Sequence, residues 1–387
     1  MFTGGIVPST QQAPPPSSGM PGPAYVAPDE GQLLSRFWQD ASGFWKGRSA
    51  WRAWPLVVLL IATVLLQLRT QYGLNFWNRD FFNAVERRDA ADLWMQALRF
   101  VPLAAASIFL AISSVWCRMT MQRTWREWLS NRLYDYWLEN DRYVRLRFAP
   151  GDHQNPEFRI AEDVRIATDL PIDLTIGLFS SFLTAITFIG VLWSVGDGLV
   201  MNVSSLVLNI PGYLVIAVVV YSVLLSAATL LIARHLVHVL EENKRNEAEL
   251  RSIGTHLREI GEGTALDDDK KDGRQAVGLA LKAVIAIWRT YCWQLMRLTL
   301  VTHASVLMTP VVGLLLCTPK YLAGAMSLGE VVQAAAAFVI VTSAFNWFTD
   351  NYARLAEWTS SANRVAALLL GLDQVDRAPA DLKESEE

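Results

Sequence analysis

The sequence feature that most constrains the fold is a set of six long apolar segments separated by polar connections. A helix that crosses the hydrocarbon core of a bilayer needs roughly 20 mostly apolar residues. The segments that meet this requirement, named spans one to six, are residues 51–76, 93–116, 170–195, 206–233, 293–317 and 328–349. The sequence therefore predicts an all-α membrane protein with six transmembrane helices.

The composition agrees with a membrane protein and excludes several other classes. Hydrophobic residues make up 52% of the chain and charged residues only 18%, a balance that favours a lipid-embedded fold. The net charge of -3 is too close to neutral to indicate a nucleic-acid partner. The three cysteines show no CxxC spacing, so neither a disulfide framework nor a metal site is predicted.

The distribution of residue types divides the chain into three parts. Residues 1–34 are rich in Pro, Gly and Ser, and such a segment has too few apolar side chains to offset the entropy of ordering. We expect a disordered Pro-rich tail at 1–34, a six-span transport domain at 35–370 and a charged tail at 371–387. No catalytic triad, metal-ligand set or phosphate cradle is present in the sequence, so we expect no enzymatic activity and no cofactor.

The basic residues predict the orientation of the spans. Lys and Arg are concentrated in the connections between spans two and three and between spans four and five, which predicts that these connections are cytoplasmic. Six spans then place both termini in the cytoplasm. The same connections continue their spans with strong helix formers, so we expect long cytoplasmic helical extensions. Short outer loops with tall inner helices are typical of an ABC-exporter-type transmembrane domain.

A charged stretch, NPEFRIAEDVR at residues 155–165, precedes span three. Asn155 suits a helix N-cap, and Pro156 suits the first helical position. A helix is therefore predicted to begin at this point, at the cytoplasmic end of the bundle.

Helical spacing suggests two ion pairs within this stretch. Arg159 and Asp163 are four residues apart and Glu162 and Arg165 are three apart, so each pair shares one helix face. A solvated helix entering span three is one explanation of these charges. The other is a coupling segment against which a motor domain presses. Its candidate residues are Asn155, Pro156, Arg159, Glu162 and Asp163.

Five motifs carry a resemblance to known transporters. They are LNFWNRDFFNAVERRDAADLW (74–94), RTWREWLSNRLYDYWL (123–138), NPEFRIAEDVR (155–165), NIPGYLVIAVVVYSVL (209–224) and EWTSSANRVAAL (357–368). Together they resemble the SbmA/BacA family of bacterial inner-membrane peptide transporters. They are equally similar to the transmembrane half of the related ABC transporters that include the peroxisomal fatty-acyl importers. The resemblance covers about residues 35–370.

The resemblance implies a homodimer of domain-swapped six-span protomers in the bacterial inner membrane. Such a dimer encloses a large cavity that passes peptides or other bulky hydrophilic solutes inward. The proton gradient drives uptake in the SbmA/BacA branch, whereas an ATPase domain follows the last span in the other branch. The resemblance thus predicts a peptide importer but leaves two energy sources.

The energy source has to be weighed from the sequence. The 387 residues contain no G-x-x-x-x-G-K-[ST] phosphate loop, which favours proton-driven import. NEAELRSIGTHLREIGEGTAL at 246–266 nevertheless resembles the ATPase-linked branch. The alternatives are a permease subunit with a separate ATPase chain, a piece of a longer chain that carries its ATPase, and a membrane scaffold that does not transport.

Carboxylates are the candidates for proton coupling and for lining the cavity. A carboxylate in a partly apolar cavity can load and release protons near neutral pH, and acidic lining attracts cationic peptides. The competing explanations are a solvated charged helix after span four and an Asp350–Arg354 ion pair at the membrane edge. The candidates are Glu242, Glu247, Glu249, Glu259, Glu262 and Asp350.

The outer end of span one carries a second candidate group. Asn78, Arg79 and Asp80 could hold an outer gate closed through a salt bridge. They could equally cap the helix beside an aromatic belt formed by Phe81 and Phe82.

Overall fold

The structure, a computed structural model, describes residues 30–47, 49–146, 155–196, 199–203, 206–262 and 267–377. Within these ranges, six helices are long and apolar enough to cross a membrane. This finding confirms the predicted all-α fold with six candidate spans and helical extensions beyond them.

Ten helices follow one another along the described chain. Their bounds are α1 Glu30–Ala41, α2 Gly43–Lys46, α3 Ala50–Arg87, α4 Ala90–Leu138, α5 Arg142–Arg145, α6 Pro156–Phe158, α7 Val164–Gly196, α8 Tyr213–Glu262, α9 Asp267–Leu322 and α10 Leu328–Arg377. Spans one to six lie in α3, α4, α7, α8, α9 and α10. A 3₁₀ turn at Glu139–Asp141 joins α4 to α5, and a π-helical turn at Arg159–Asp163 joins α6 to α7.

Span four begins later than predicted. The residues expected to start it form strand β2 (Leu206–Ile210), which pairs antiparallel with strand β1 (Leu199–Val203) in a hairpin. Helix α8 begins only at Tyr213. Pro211 has no N–H to donate, and Gly212 adopts a φ of +63° that glycine reaches without steric cost. These two residues end the strand and turn the chain into the helix.

The six long helices alternate in direction, so the bundle has two different ends. We call the end with α1, α2, α5, α6 and the C-terminus of α10 the extended end. The short-loop end carries the α3–α4 turn, the β-hairpin and the α9–α10 turn. The segment NPEFRIAEDVR lies at the extended end, and the predicted gate residues lie at the short-loop end.

Each end has its own apolar core. Trp125 of α4 is 1% exposed and lies at the centre of the extended-end core, with its ring 6.2 Å from that of Phe44. Leu129 and Leu133 continue the same buried stripe of α4, because residues four apart share a helix face. The short-loop core gathers around Phe188 and Phe338. The tryptophan-rich motif at 123–138 therefore serves packing at the extended end.

The packed part of the described chain extends past both predicted domain boundaries. Helix α1 begins at Glu30, and its Leu33 and Leu34 pack against the extended-end core. Helix α10 continues beyond residue 370, and Leu372 and Val375 are buried there as well. The helical spacing of these apolar residues is the signal that the prediction missed. Residues 1–29 and 378–387 of the two predicted tails lie outside the described residues.

Candidate functional site: the coupling segment and its polar contacts

The helix start predicted at the coupling segment is confirmed. Asn155 occupies the N-cap position, and Pro156 is the first helical residue. The carbonyl of Asn155 accepts from the backbone N–H of Phe158 at 3.1 Å and of Arg159 at 3.3 Å. The side chain of Asn155 makes no capping hydrogen bond, and its backbone lies in the left-handed region with φ +55°. Asparagine tolerates this conformation better than most residues.

Asp163 pairs with Arg364 of α10, two hundred residues away in sequence. The Asp163 side chain is 1% exposed, and Arg364 donates to it from Nε at 2.9 and 3.0 Å and from Nη2 at 2.6 Å. The hydroxyls of Ser360 and Ser361 also accept from Arg364. Two motifs from different parts of the sequence, NPEFRIAEDVR and EWTSSANRVAAL, thus meet through a multidentate ion pair.

The prediction that Arg159 pairs with Asp163 is wrong, whereas the Glu162–Arg165 pair is confirmed. Residues 159–163 form a π turn, in which backbone bonds run from i to i+5, so the α-helical spacing on which the prediction rested does not apply. Arg159 instead donates to the backbone carbonyl of Arg364 at 3.5 Å. The segment is therefore joined to α10 in two ways, by the Asp163–Arg364 ion pair and by the bond from Arg159 to the backbone carbonyl of Arg364.

A second polar cluster fixes the C-terminus of α10. Arg36 of α1 bonds Asp373 at 2.9 and 3.1 Å, and the hydroxyl of Tyr136 donates to the same carboxylate at 2.7 Å. Arg142 of α5 bonds Asp376 at 2.8 Å. These contacts tie α1, α4 and α5 to the end of α10.

The environment of this cluster shifts the pKa values of Tyr136 and Asp376, among others. Tyr136 lies well beyond the predicted end of span two, and burial together with its bond to Asp373 raises its pKa to about 12. The hydrogen bond from Arg142 lowers the pKa of Asp376. Tyr136 therefore remains a neutral donor, and Asp376 an anion, throughout the physiological pH range.

A third cluster centres on Asp173 of α7, which sequence reasoning missed. Its carboxylate accepts from Gln122 at 2.7 Å and from Arg354 at 2.6 Å, and Nε of Arg118 lies 3.4 Å away. Asp173 is 18% exposed at its side chain. The alternative that Arg354 pairs with Asp350 is wrong, because α7 brings Asp173 to the guanidinium and leaves Asp350 exposed.

The acidic candidates on α8 do not form one cluster in the described chain. Glu242 and Glu249 are exposed, and Glu247 is half-buried and accepts from Asn243 at 3.2 Å. The side chains of Glu259 and Glu262 lie outside the described residues. The role of these carboxylates in proton coupling stays a prediction.

Of the three predicted gate residues, Arg79 and Asp80 interact with each other, and Asn78 is half-buried. Arg79 pairs with its neighbour Asp80 at 2.9 Å and lies 4.8 Å from the ring centre of Phe76. Contacts to the α9–α10 turn come from the next helical turn. The side chain of Asn83 accepts from the N–H of Gly329 at 2.9 Å, and that of Glu86 from the N–H of Leu328 at 3.1 Å.

The position of Asn83 and Glu86 in the sequence explains why they were missed. Both lie in the motif LNFWNRDFFNAVERRDAADLW, where Arg79 and Asp80 drew attention as the obvious opposite charges. Asn83 lies four residues after Arg79 and three after Asp80, so it shares their face of α3. This spacing was the signal that could have identified Asn83.

Comparison with known proteins shows the family to which the chain belongs. Residues 46–322 match the model of the family described as ABC transporter transmembrane region 2. The inner membrane ABC transporter ATP-binding protein YddA of Escherichia coli is 26% identical over 336 residues, which are 86% of this chain and 60% of that protein. ABC transporter D family member 2, chloroplastic, of Arabidopsis thaliana is 20% identical over 94% of this chain and 50% of its own length.

An ABC transporter ATP-binding protein of Haemophilus influenzae is 23% identical over 78% of this chain and 50% of its own length. The chain thus spans about half to three-fifths of the length of the curated relatives that it matches. The family match covers most of the six-helix bundle. The chain therefore belongs to the ABC transporter transmembrane region 2 family and is a multi-pass membrane protein of the ABC transporter type.

Proposed function

We propose that two copies of this chain form the pathway of an inner-membrane importer of peptides or other bulky solutes, driven by an ATPase that lies outside these 387 residues. The observation that carries the proposal is that relatives named as ABC transporter ATP-binding proteins match this chain over only part of their length. A separate chain or a longer form of this one would supply the ATPase.

An exposed apolar surface on α9 supports a homodimer. Leu279, Ile285 and Trp288 lie on α9 before span five, and all three are exposed, Leu279 by 68%. Large apolar side chains that are exposed outside a predicted span form a surface suited to another protein. A second copy, reached by the α8–α9 pair as the resemblance implies, would cover this surface.

The coupling segment supports the site at which the ATPase would act. In this proposal the extended end faces the cytoplasm, as the positions of Lys and Arg predict. The segment 155–165 is then presented to an ATPase and is already bonded to α10 through Asp163 and Arg364.

The exposed carboxylates support cationic peptides as substrates. Glu242 and Glu249 of α8 and Asp350 of α10 are exposed in the single chain, and acidic lining concentrates positively charged solutes. The same carboxylates support the alternative of proton-driven import, in which they would titrate during each cycle. The names of the relatives favour ATP over the proton gradient.

Right-side-out membrane vesicles from cells that carry the gene at its own locus separate these mechanisms. The probe is a fluorescently labelled cationic peptide, the vesicles are loaded with ATP or given a proton gradient, and vesicles from a deletion strain are the control. The proposal expects uptake that needs ATP, is inhibited by vanadate and persists when an ionophore collapses the gradient. Uptake that needs the gradient and ignores vanadate would support proton coupling, and no uptake under either condition would support a scaffold.

A further inference from the structure

Helices α7 and α10 run antiparallel and are joined by two ion pairs in the same register. Asp163, in the turn that leads into α7, pairs with Arg364, and Asp173 pairs with Arg354. The two aspartates are ten positions apart, and so are the two arginines. At 1.5 Å per residue, the two pairs lie about 15 Å apart along the seam between the helices.

The seam is closely packed, and one of its two ion pairs is formed with a buried carboxylate. Both oxygens of the buried Asp163 carboxylate accept from Arg364, and two serine hydroxyls of α10 fix the same guanidinium. A multidentate pair in a water-poor position is stronger and more directional than an exposed one. Farther along the seam, a Cβ at Gly177 would lie 2.6 Å from Nε1 of Trp347, so the helices also approach closely there.

The coupling segment is continuous with this seam. Its π turn, Arg159–Asp163, ends at the aspartate that bonds α10, and π turns within helices are frequent at functional sites. The neighbouring Glu162 pairs only with Arg165, on its own helix, in the contacts that the structure gives. A displacement of the segment would therefore reach α10 through Asp163 and not through Glu162.

We propose that Asp163 and Asp173 are positioning residues that lock α7 to α10, so that a displacement of segment 155–163 moves span six together with span three. The inference rests on the proposed function, because an ATPase is what would displace the segment. In this mechanism the two helices act as one rod between the extended end and the membrane.

Spin-label distances test the rod without requiring transport. Labels are attached to Phe158→Cys and Tyr352→Cys, both exposed positions, in a Cys292→Ser background that removes the exposed native cysteine. Dilution with unlabelled protein leaves only distances within one chain. We expect one narrow distance distribution, broadened by Asp163→Asn combined with Asp173→Asn and unchanged by the control Glu162→Gln. An unchanged distribution in the double variant would overturn the inference.

Coupling efficiency separates a positioning role from a merely structural one. In the vesicle assay, Asp163→Asn and Arg364→Gln are each expected to lower ATP-driven uptake about tenfold while ATP hydrolysis and assembly persist. Asp163→Asn combined with Arg364→Gln should be no worse than either single variant, because both changes remove the same ion pair. Arg364→Gln, at a half-exposed side chain, keeps the test valid if Asp163→Asn does not assemble.

The outcomes for the inference and for the proposed function are distinct. Wild-type uptake with unchanged uptake in the variants, or a parallel loss of uptake and hydrolysis, would overturn the positioning role alone. A wild-type protein that takes up no probe would remove the proposed function, and the spin-label distances would still decide whether α7 and α10 form one rod.

Discussion

The two groups of helices that reach beyond the predicted spans are built in different ways. At the extended end, α4, α7 and α10 share a buried aromatic core with α1 and are joined by ion pairs such as Asp163–Arg364. The second group is the part of α8 and α9 outside the predicted spans. The half of α9 before span five exposes large apolar side chains, and a Cβ at Gly278 would meet no atom within 4 Å. A single chain therefore completes the packing of α4, α7 and α10. The extensions of α8 and α9 leave apolar surface exposed, which only contacts outside the single chain could cover.

The largest expected difference between the groups is in tryptophan replacement. Trp125→Ala removes the centre of the extended-end core and should lower the free energy of unfolding by about 3–5 kcal/mol. Trp288→Ala in α9, where the side chain is 50% exposed, should change it by about 0.5 kcal/mol or less. Denaturant unfolding of the monomer in mild detergent measures both. Equal losses would show that the two groups are packed alike.

The seam between α7 and α10 should tolerate added volume poorly. Gly177→Val places methyl groups against the indole of Trp347, and we expect a loss of about 1–3 kcal/mol in unfolding free energy from overpacking. Gly190→Val in the same helix is the matched control, because a Cβ there meets nothing within 4 Å. Thermal unfolding in detergent compares the two, and a control that loses as much would contradict close packing as the cause.

The opposite sign is expected for two glycines of α8 and α9 that have open space around them. Gly254→Ala in α8 and Gly278→Ala in α9 meet open space in the single chain, so each should raise helix stability by about 0.5–1 kcal/mol. Thermal unfolding at low and high protein concentration measures the change. A loss that appears only in the oligomer would show that another copy lies against these positions.

The smallest expected effect on stability belongs to the exposed acids of α8. Glu242→Gln and Glu249→Gln should each change the unfolding free energy by less than about 0.5 kcal/mol, because both side chains are exposed. The same changes should weaken the binding of a cationic peptide, and the loss should shrink as salt screens the charges. Fluorescence anisotropy at two ionic strengths measures this, and unaltered binding would contradict an acidic lining.

Local patterns predicted the elements of this protein but few of its long-range contacts. Hydropathy identified all six spans, Asn155 and Pro156 marked a helix start, and three-residue spacing gave the Glu162–Arg165 pair. The same reasoning failed for Asp163 and Arg354, whose partners lie on other helices. Spacing within one helix says which charges can meet locally, and an approaching helix can offer a better-placed partner.

The predicted starts of the transport domain and of span four were wrong for related reasons. The apolar spacing of α1 was overlooked beside a Pro-rich segment, and the start of span four was placed inside a strand because both elements are apolar there. A short apolar run does not distinguish a strand from a helix by periodicity alone.

The sequence by itself determined a six-span helical membrane protein with tall extensions, because lipid requires every backbone polar group to bond within its own segment or barrel. Only the tertiary structure decided that Asp163 and Asp173 select arginines of α10, that α1 closes the extended end, and that Asn83 and Glu86 hold the α9–α10 turn. Those choices depend on the rotation and register of helices against one another. The packing of whole faces sets that geometry, and no single motif encodes it.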